Sequence, residues 1–460
     1  MAGGAATALR PLRYRGFAVL WTASLISNVG SWMQTVAVGA LVISRTGQAS
    51  WAVLVAAGAF LPLGLLSPVG GALADRLPRR PVIAAGNLVA GAIAAVIALL
   101  VATGHATPYA LLGLVTLQGA ASAIIGPFSQ AILPDLVPRS EFLAASSMNS
   151  AQWNAGRIIG PALAGATVAA FGFAASFVAN AASFLAVVIA LLLVRLAPPP
   201  GTRERLLRSM RDGLKAAWAE PSCRAATVSI GVVAFLAAPF IALVPAVALS
   251  VSHGDASHVA AATAVLTTAQ GAGAVVGALL LPAVAARISR GRALGWSLAV
   301  LPVVLIGYGA ARSLVLAAAA LFLVGLVYMC VLSGLETVPQ LHAPVAYRGR
   351  VLSFFLVALG VAYPIGALAQ GPVANHIGVG WTTIGSAVVL AAACLLVGLR
   401  WPRFVRALTA PELSESLDVL LPDVAAAAVS TSQAGPLEAG SLGPHAPLAP
   451  GADCAPGATC

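Results

Sequence analysis

Gly70-Gly71-Ala72-Leu73-Ala74-Asp75-Arg76-Leu77-Pro78-Arg79-Arg80 joins two long apolar runs. Small residues close the first run, an acid and three arginines crowd the junction, and the next run begins at once. Each flanking run is about 20 residues long, which is what a helix needs to cross a hydrocarbon core about 30 Å thick. The rest of the chain repeats this pattern. Of 460 residues, 60% are hydrophobic and 8% are charged, whereas an average soluble domain carries about 25% charged residues. A chain this apolar needs lipid as its solvent.

On either side of that junction the apolar runs fall at 17–43, 51–73, 81–103, 108–133, 142–170 and 173–195. A second set falls at 224–250, 258–286, 293–310, 314–338, 351–377 and 380–399. The expected architecture is therefore all-α and membrane-integral, with twelve transmembrane helices in two pseudo-symmetric six-helix bundles. The arginines test the count, because basic residues collect in cytoplasmic loops. With both termini in the cytoplasm, Arg45, Arg157 and Arg312 are the only exceptions among the 25 basic residues. A wrong number of spans would have scattered them. The run after Arg10, Arg13 and Arg15 is longer than a signal-peptide core and is expected to remain as the first span.

The expected organisation is a first bundle at 1–195, a polar cytoplasmic linker at 196–223, a second bundle at 224–400 and a disordered cytoplasmic tail at 401–460. The linker opens Pro198-Pro199-Pro200-Gly201 and carries Arg203, Arg205, Arg208, Arg211 and Lys215; the tail is rich in Ala, Pro, Gly and Ser. The halves echo each other: Leu133-Pro134 in the first corresponds to Val338-Pro339 in the second, each followed by a basic turn and a Gly/Pro-bearing helix. Repeats with interrupted helices in matching places point to an alternating-access transporter.

Other classes lose support at the level of residues. The net charge of +11 lies in short loop clusters and makes no nucleic-acid stripe. An ATP-driven pump would show a phosphate-binding loop around a lysine, and Lys215 is the sole lysine, without one. The five cysteines are scattered with no CxxC pair, and the histidines lie at loops, at a span end or in the tail. No enzyme activity, cofactor or metal is expected.

Within this frame the opening stretch resembles the signature loop of the major facilitator superfamily: a glycine, then Asp-Arg, then a basic pair. The resemblance implies a gating latch formed by Gly71, Asp75, Arg76, Arg79 and Arg80. Asp135, beyond span 4, is a candidate partner for Arg79; the alternative is a solvated acid at a helix end. The corresponding loop of the second half, Ala286-Arg287-Ile288-Ser289-Arg290, has alanine where the first has Asp75. Span 5 carries Gly156-Arg157-Ile158-Ile159-Gly160-Pro161-Ala162-Leu163-Ala164-Gly165, which is similar to the Gly-x-x-x-Gly-Pro motif of the exporter branch. Gly156, Gly160, Pro161 and Gly165, with Pro364 in span 11, are thus read as helix-break residues. Over residues 9–400 the pattern resembles the enterobactin-exporter-like and drug-efflux subgroup. The resemblance implies a monomeric secondary transporter in the cell membrane that exports a hydrophobic or amphiphilic small molecule in exchange for protons. Uptake, or a transport-inactive sensor on the same fold, are the alternatives.

Two charges lie inside spans. Arg157 sits 13 to 15 residues into span 5, about 20 Å deep at ~1.5 Å per residue. Facing lipid there is costly, so it either lines a wet cavity or bonds carbonyls structurally. Glu336 in span 10 is the one acid within a span, and is read either as the proton-carrying group, paired across the cavity with Arg157, or as a structural residue. Asn28, Trp32, Gln34, Gln118, Asn154, Gln270, Tyr328 and Tyr363 are the candidate substrate contacts, with Trp32 and Tyr363 suited to stacking on a flat compound.

Overall fold

The computed structural model describes residues 9–74, 76–194, 215, 217–252, 256–344 and 347–409. Asp75, most of the 196–223 linker and residues 410–460 lie outside them. Among the described residues there is no strand, and twelve long helices account for most of them. They are α1 (Arg15–Thr46), α2 (Ala49–Ala74), α3 (Arg79–Ala102), α4 (Pro108–Ala131), α5 (Phe142–Phe171), α6 (Phe173–Leu193) and α7 (Pro221–Val251). α8 (Ala256–Ile288), α9 (Arg290–Gly309), α10 (Leu314–His342), α11 (Arg348–Ile377) and α12 (Val379–Arg400) complete them.

Eleven of these are long and apolar enough to cross a membrane; α5 is the exception. It carries Ser146, Ser147, Asn149, Ser150, Gln152 and Asn154 in its first half and Arg157 just beyond the middle. At 30 residues it still measures about 45 Å. Its neighbours are α1, α6 and α8, so it has protein on several sides. Of its polar residues Gln152 is buried while Ser146, Ser147 and Ser150 are exposed; it is their polarity, not the helix length, that fails the composition test.

Both halves end their elements with the same devices. Thr107 caps α4 by accepting a hydrogen bond from the Ala110 N–H at 3.2 Å, and Ser313 caps α10 by accepting from the Leu316 N–H at 3.3 Å. Gly172 at φ 78° turns the chain from α5 into α6, and Gly378 at φ 89° does the same between α11 and α12. These conformations are open to glycine and strained for other residues. Thr107 precedes Ser313 by the same number of residues as Gly172 precedes Gly378, so the repeat is kept at the level of caps and turns.

The packing repeats as well. Within the first half α2 packs on α4, α3 on α6 and α1 on α5; in the second, α8 packs on α10, α9 on α12 and α7 on α11. Between the halves the pairs α2–α11 and α5–α8 exchange equivalent roles. α2 and α11 meet at Gly64 and Gly360, where a Cβ on Gly64 would lie 2.8 Å from the Gly360 carbonyl carbon. Only glycine permits that approach.

Helix breaks are not where the prolines of spans 5 and 11 suggest. α5 runs unbroken through Pro161, and α11 through Pro364 and Pro372. The interruption lies in α7, at Ala237–Pro239, between the segments Pro221–Leu236 and Phe240–Val251. Pro239 has no N–H to give to the Phe235 carbonyl. Gln370 of α11 supplies the missing donor: its Nε2 reaches the carbonyls of Phe235 and Leu236, each at 3.1 Å.

The ends of the bundle differ. One carries the 2/3 loop and the arginine clusters, and is called the basic end; the other, at the α1–α2 and α11–α12 turns, is the far end. The halves join at the far end. The Ser50 N–H donates to Asn375 Oδ1 at 3.2 Å, and Asn375 Nδ2 donates to Ser50 Oγ at 2.8 Å. One apolar core gathers Ile43, Ala49, Ala52 and Val53 from the first half with Leu243, Val247, Ala367 and Ala374 from the second. At the basic end, by contrast, each buried cluster draws on one half. Phe17, Leu133, Val137, Ala145 and Met148 form one, and Ala217, Cys223, Ala343 and Val351 another. Among the described residues the halves thus share a buried core at the far end and none at the basic end.

Candidate transport cleft

Arg157 lies at the seam of the two halves. A Cβ on Gly271 of α8 would stand 2.9 Å from the Arg157 carbonyl oxygen, so the two backbones nearly touch. The guanidinium lies over the Trp32 ring, with its carbon 5.8 Å from the centroid, a cation–π contact. Arg157 Nε is buried without a hydrogen-bond partner. Tyr328 of α10 and Tyr363 of α11 lie within electrostatic range of it. Each tyrosine is held edge-on by a phenylalanine: Tyr328 by Phe240 with centroids at 5.4 Å, Tyr363 by Phe60 at 5.5 Å. Phe60 belongs to α2, so this second pair bridges the halves. The Tyr363 hydroxyl and Gln270 Nε2 are also buried and unpartnered.

The glycines of α5 set this geometry. Gly160 faces Trp32 and the Val29 carbonyl, and Gly156 faces the Asn28 amide, where a Cβ would sit 2.8 Å from Nδ2. α1 thereby lies flat on α5, and Trp32 reaches across to the arginine. Asn28 Nδ2 fastens the contact by donating to the Gln152 carbonyl at 3.1 Å. Gly165 meets Ala264 of α8 across the seam, while Pro161 is buried inside the helix. Asn154 bonds back to the Ser150 carbonyl of its own helix at 2.9 Å.

Two expected contacts lie elsewhere. Gln34 and Gln118 are buried inside the first half, where Gln34 Nε2 donates to Gln118 Oε1 at 2.5 Å. Asn180 Nδ2 donates to Gln34 Oε1 at 2.7 Å, and Ser183 Oγ completes the chain on Asn180. These amides tie α1, α4 and α6 together and do not face the cleft. They satisfy one another, which removes the need for water or substrate that polar groups in a span otherwise create. Asn180 was the missing partner. A second asparagine in a neighbouring apolar run was the signal that could have revealed it.

Glu336 and Arg157 are likewise not brought together. Glu336 stands eight residues beyond Tyr328 along α10, about 12 Å towards the basic end, and accepts from Gln340 Nε2 at 3.4 Å. The pairing expected from sequence is absent in this conformation, because the seam around Arg157 is lined by aromatic rings and amides.

At the basic end, Arg79 Nη1 donates to Asp135 Oδ2 at 2.8 Å, with both side chains mostly shielded from solvent. Arg80 Nη2 donates to the Leu192 carbonyl at 3.0 Å. The start of α3 is thus tied to the segment after α4 and to the end of α6, all within one half. Gly71 has open space where a Cβ would be. Arg76 is exposed, and Asp75 lies outside the described residues.

This architecture is shared with known proteins. Residues 6–434 match the family model described as transmembrane secretion effector. The chain belongs to that family. It is a major facilitator superfamily transporter. It is 28% identical over 401 residues to the uncharacterized MFS-type transporter YfiS of Bacillus subtilis, covering 83% of this chain and 91% of the relative. It is 27% identical over 387 residues to the multidrug efflux pump Tap of Mycolicibacterium fortuitum, covering 82% and 92%. Among solved structures it is similar to a bacterial homologue of the human lysosomal transporter Spinster, in an inward-facing, unoccupied conformation. The TM-score is 0.66 at 17% identity, over 86% of this chain and 98% of that one. The fold is therefore that of a transporter of small molecules, a class that is not enzymatic.

Proposed function

We propose that this transporter exports a hydrophobic or amphiphilic small molecule by alternating access, in exchange for protons, and acts as a monomer. The observation that carries the reading is where the halves join: they share hydrogen bonds and a buried core at the Ser50–Asn375 end and no buried cluster at the other among the described residues, with Arg157 and Trp32 at the seam between. An intramembrane charge at such a seam marks a substrate path. The basic end is the cytoplasmic end by the distribution of arginines, which puts both termini and the 196–223 linker in the cytoplasm of a cell-membrane protein. In this orientation the described conformation loads from inside. Similarity to an efflux pump supports the outward direction. Asp75, Arg76, Arg79, Arg80 and Asp135 form the cytoplasmic latch in this reading.

Glu336 is the proposed proton carrier. It is half-buried towards the basic end, and its recorded partner is one weak amide contact on its own helix. The test is efflux of a fluorescent lipophilic dye from cells that express the protein, with and without a protonophore. Export predicts lower dye accumulation that the protonophore restores. Higher accumulation identifies uptake, and no change identifies a transport-inactive protein; either overturns the proposal.

A further inference from the structure

We propose that the seam between the halves is a recognition site for a carboxylate joined to a flat aromatic body, with Arg157 as its anion receptor and Trp32 as its stacking wall. This rests on reading the seam as the transport path.

The starting point is an unbalanced charge. Arginine cannot shed its proton in a protein, and a cation at membrane depth needs a partner. Among the described residues Arg157 has no carboxylate and no hydrogen-bond acceptor; its recorded contact is the face of the Trp32 ring. The described acids are engaged elsewhere or stand at the basic end. Asp135 is paired with Arg79, Glu336 accepts from Gln340 about 12 Å from Tyr328 along the helix, and Glu220 meets the Ser222 N–H.

The shape of the site selects the anion. The Arg157 guanidinium, set over the Trp32 ring, carries its donors in a rigid fork matched to two coplanar oxygens. The same indole presents an apolar surface beside the fork, on which an aromatic ring can lie. The opposite half adds donors: Gln270 Nε2 of α8 and the Tyr363 hydroxyl of α11 are buried and unpartnered. Gln270 adjoins Gly271, whose backbone presses on that of Arg157. Unpartnered donors thus stand on both halves, and a ligand rich in acceptor oxygens would satisfy both. A cationic compound would meet the arginine with no acid to receive it.

The experiment uses the full chain in lipid nanodiscs and three probes of one ring system: 2-naphthoate, 2-naphthamide and 2-naphthylmethylammonium. Isothermal titration at neutral pH is expected to show the carboxylate binding at least tenfold tighter than the carboxamide, with the ammonium weakest. Arg157→Gln brings the carboxylate down to the carboxamide, and Arg157→Lys keeps the order with a smaller gap. Equal affinity for the three probes, no saturable binding of the naphthoate, or a preference that survives Arg157→Gln overturns the proposal. If neither variant folds, the wild-type ranking decides alone. Flux into proteoliposomes separates the two readings. A carboxylate preference without vectorial movement keeps the site and rejects export, whereas movement without that preference rejects the site and keeps transport.

Discussion

At the scale of single residues, the polar groups in the spans divide into those that bond each other and those left open, and the division predicts different phenotypes. Gln34, Gln118 and Asn180 form a closed, buried chain. Gln34→Leu leaves two amides without partners, at about 1–3 kcal/mol for each orphaned group. The expected result is a lowered thermal unfolding midpoint with naphthoate affinity unchanged; a lost affinity with stability intact would place Gln34 in the path after all. Arg79 and Asp135 are mostly shielded, between the near-zero value of a surface pair and the several kcal/mol of a buried one. Asp135→Asn and Arg79→Gln should each slow efflux. Because both changes remove one interaction, the double variant should be no slower than the worse single one. Additive slowing, measured as initial efflux rates, would show that the pair does not act as a unit.

At the scale of elements, the break in α7 was the feature least legible in the sequence. Residues 224–250 read as one apolar run, and nothing local separates a proline tolerated within a helix, as Pro161 and Pro364 are, from one that ends it. The difference lies in a distant partner. Gln370, 131 positions after Pro239, serves the Phe235 carbonyl that the proline orphans and the Leu236 carbonyl beside it. By contrast, the span positions were legible, because apolar length is a local demand. The Arg157 seam was half legible. Its depth could be counted along span 5, but the indole over it depends on how closely Gly160 lets α1 approach. The α7 arrangement is testable as a cycle. Gln370→Leu should destabilise the protein by about 1–3 kcal/mol. In a Pro239→Ala background, where the restored N–H can serve Phe235, the same change should cost clearly less. Equal costs in both backgrounds, by thermal unfolding in detergent, would dissociate the glutamine from the break.

At the scale of the whole molecule, alternating access requires the far end to open and the field across the bilayer to act on whatever moves. Cysteines at Ser50 and Asn375, in a background stripped of native cysteines, should be joined by a short bifunctional thiol reagent, because the native side chains are in hydrogen-bond contact. Joining them should halt efflux, and reduction of a cleavable linker should restore it; efflux that persists would mean that this end need not part. The field makes a further demand if the cargo is an anion. Moving one elementary charge through 100 mV is worth about 2.3 kcal/mol. An inside-negative potential drives an anion outward, and exchange of a monoanion for one proton carries two charges in the same electrical sense. Export of 2-naphthoate should therefore accelerate steeply when a potassium diffusion potential, set with valinomycin, makes the cytoplasmic face more negative at constant pH. Export of neutral 2-naphthamide in proton exchange carries one charge and should respond less. Blocking the proton carrier with Glu336→Gln separates the contributions, since any residual naphthoate flux would keep the voltage sensitivity of the anion alone and the naphthamide flux would lose all of it. If both probes respond equally to voltage in the wild type, the moving species is not the anion, and Arg157 balances a charge other than that of the cargo.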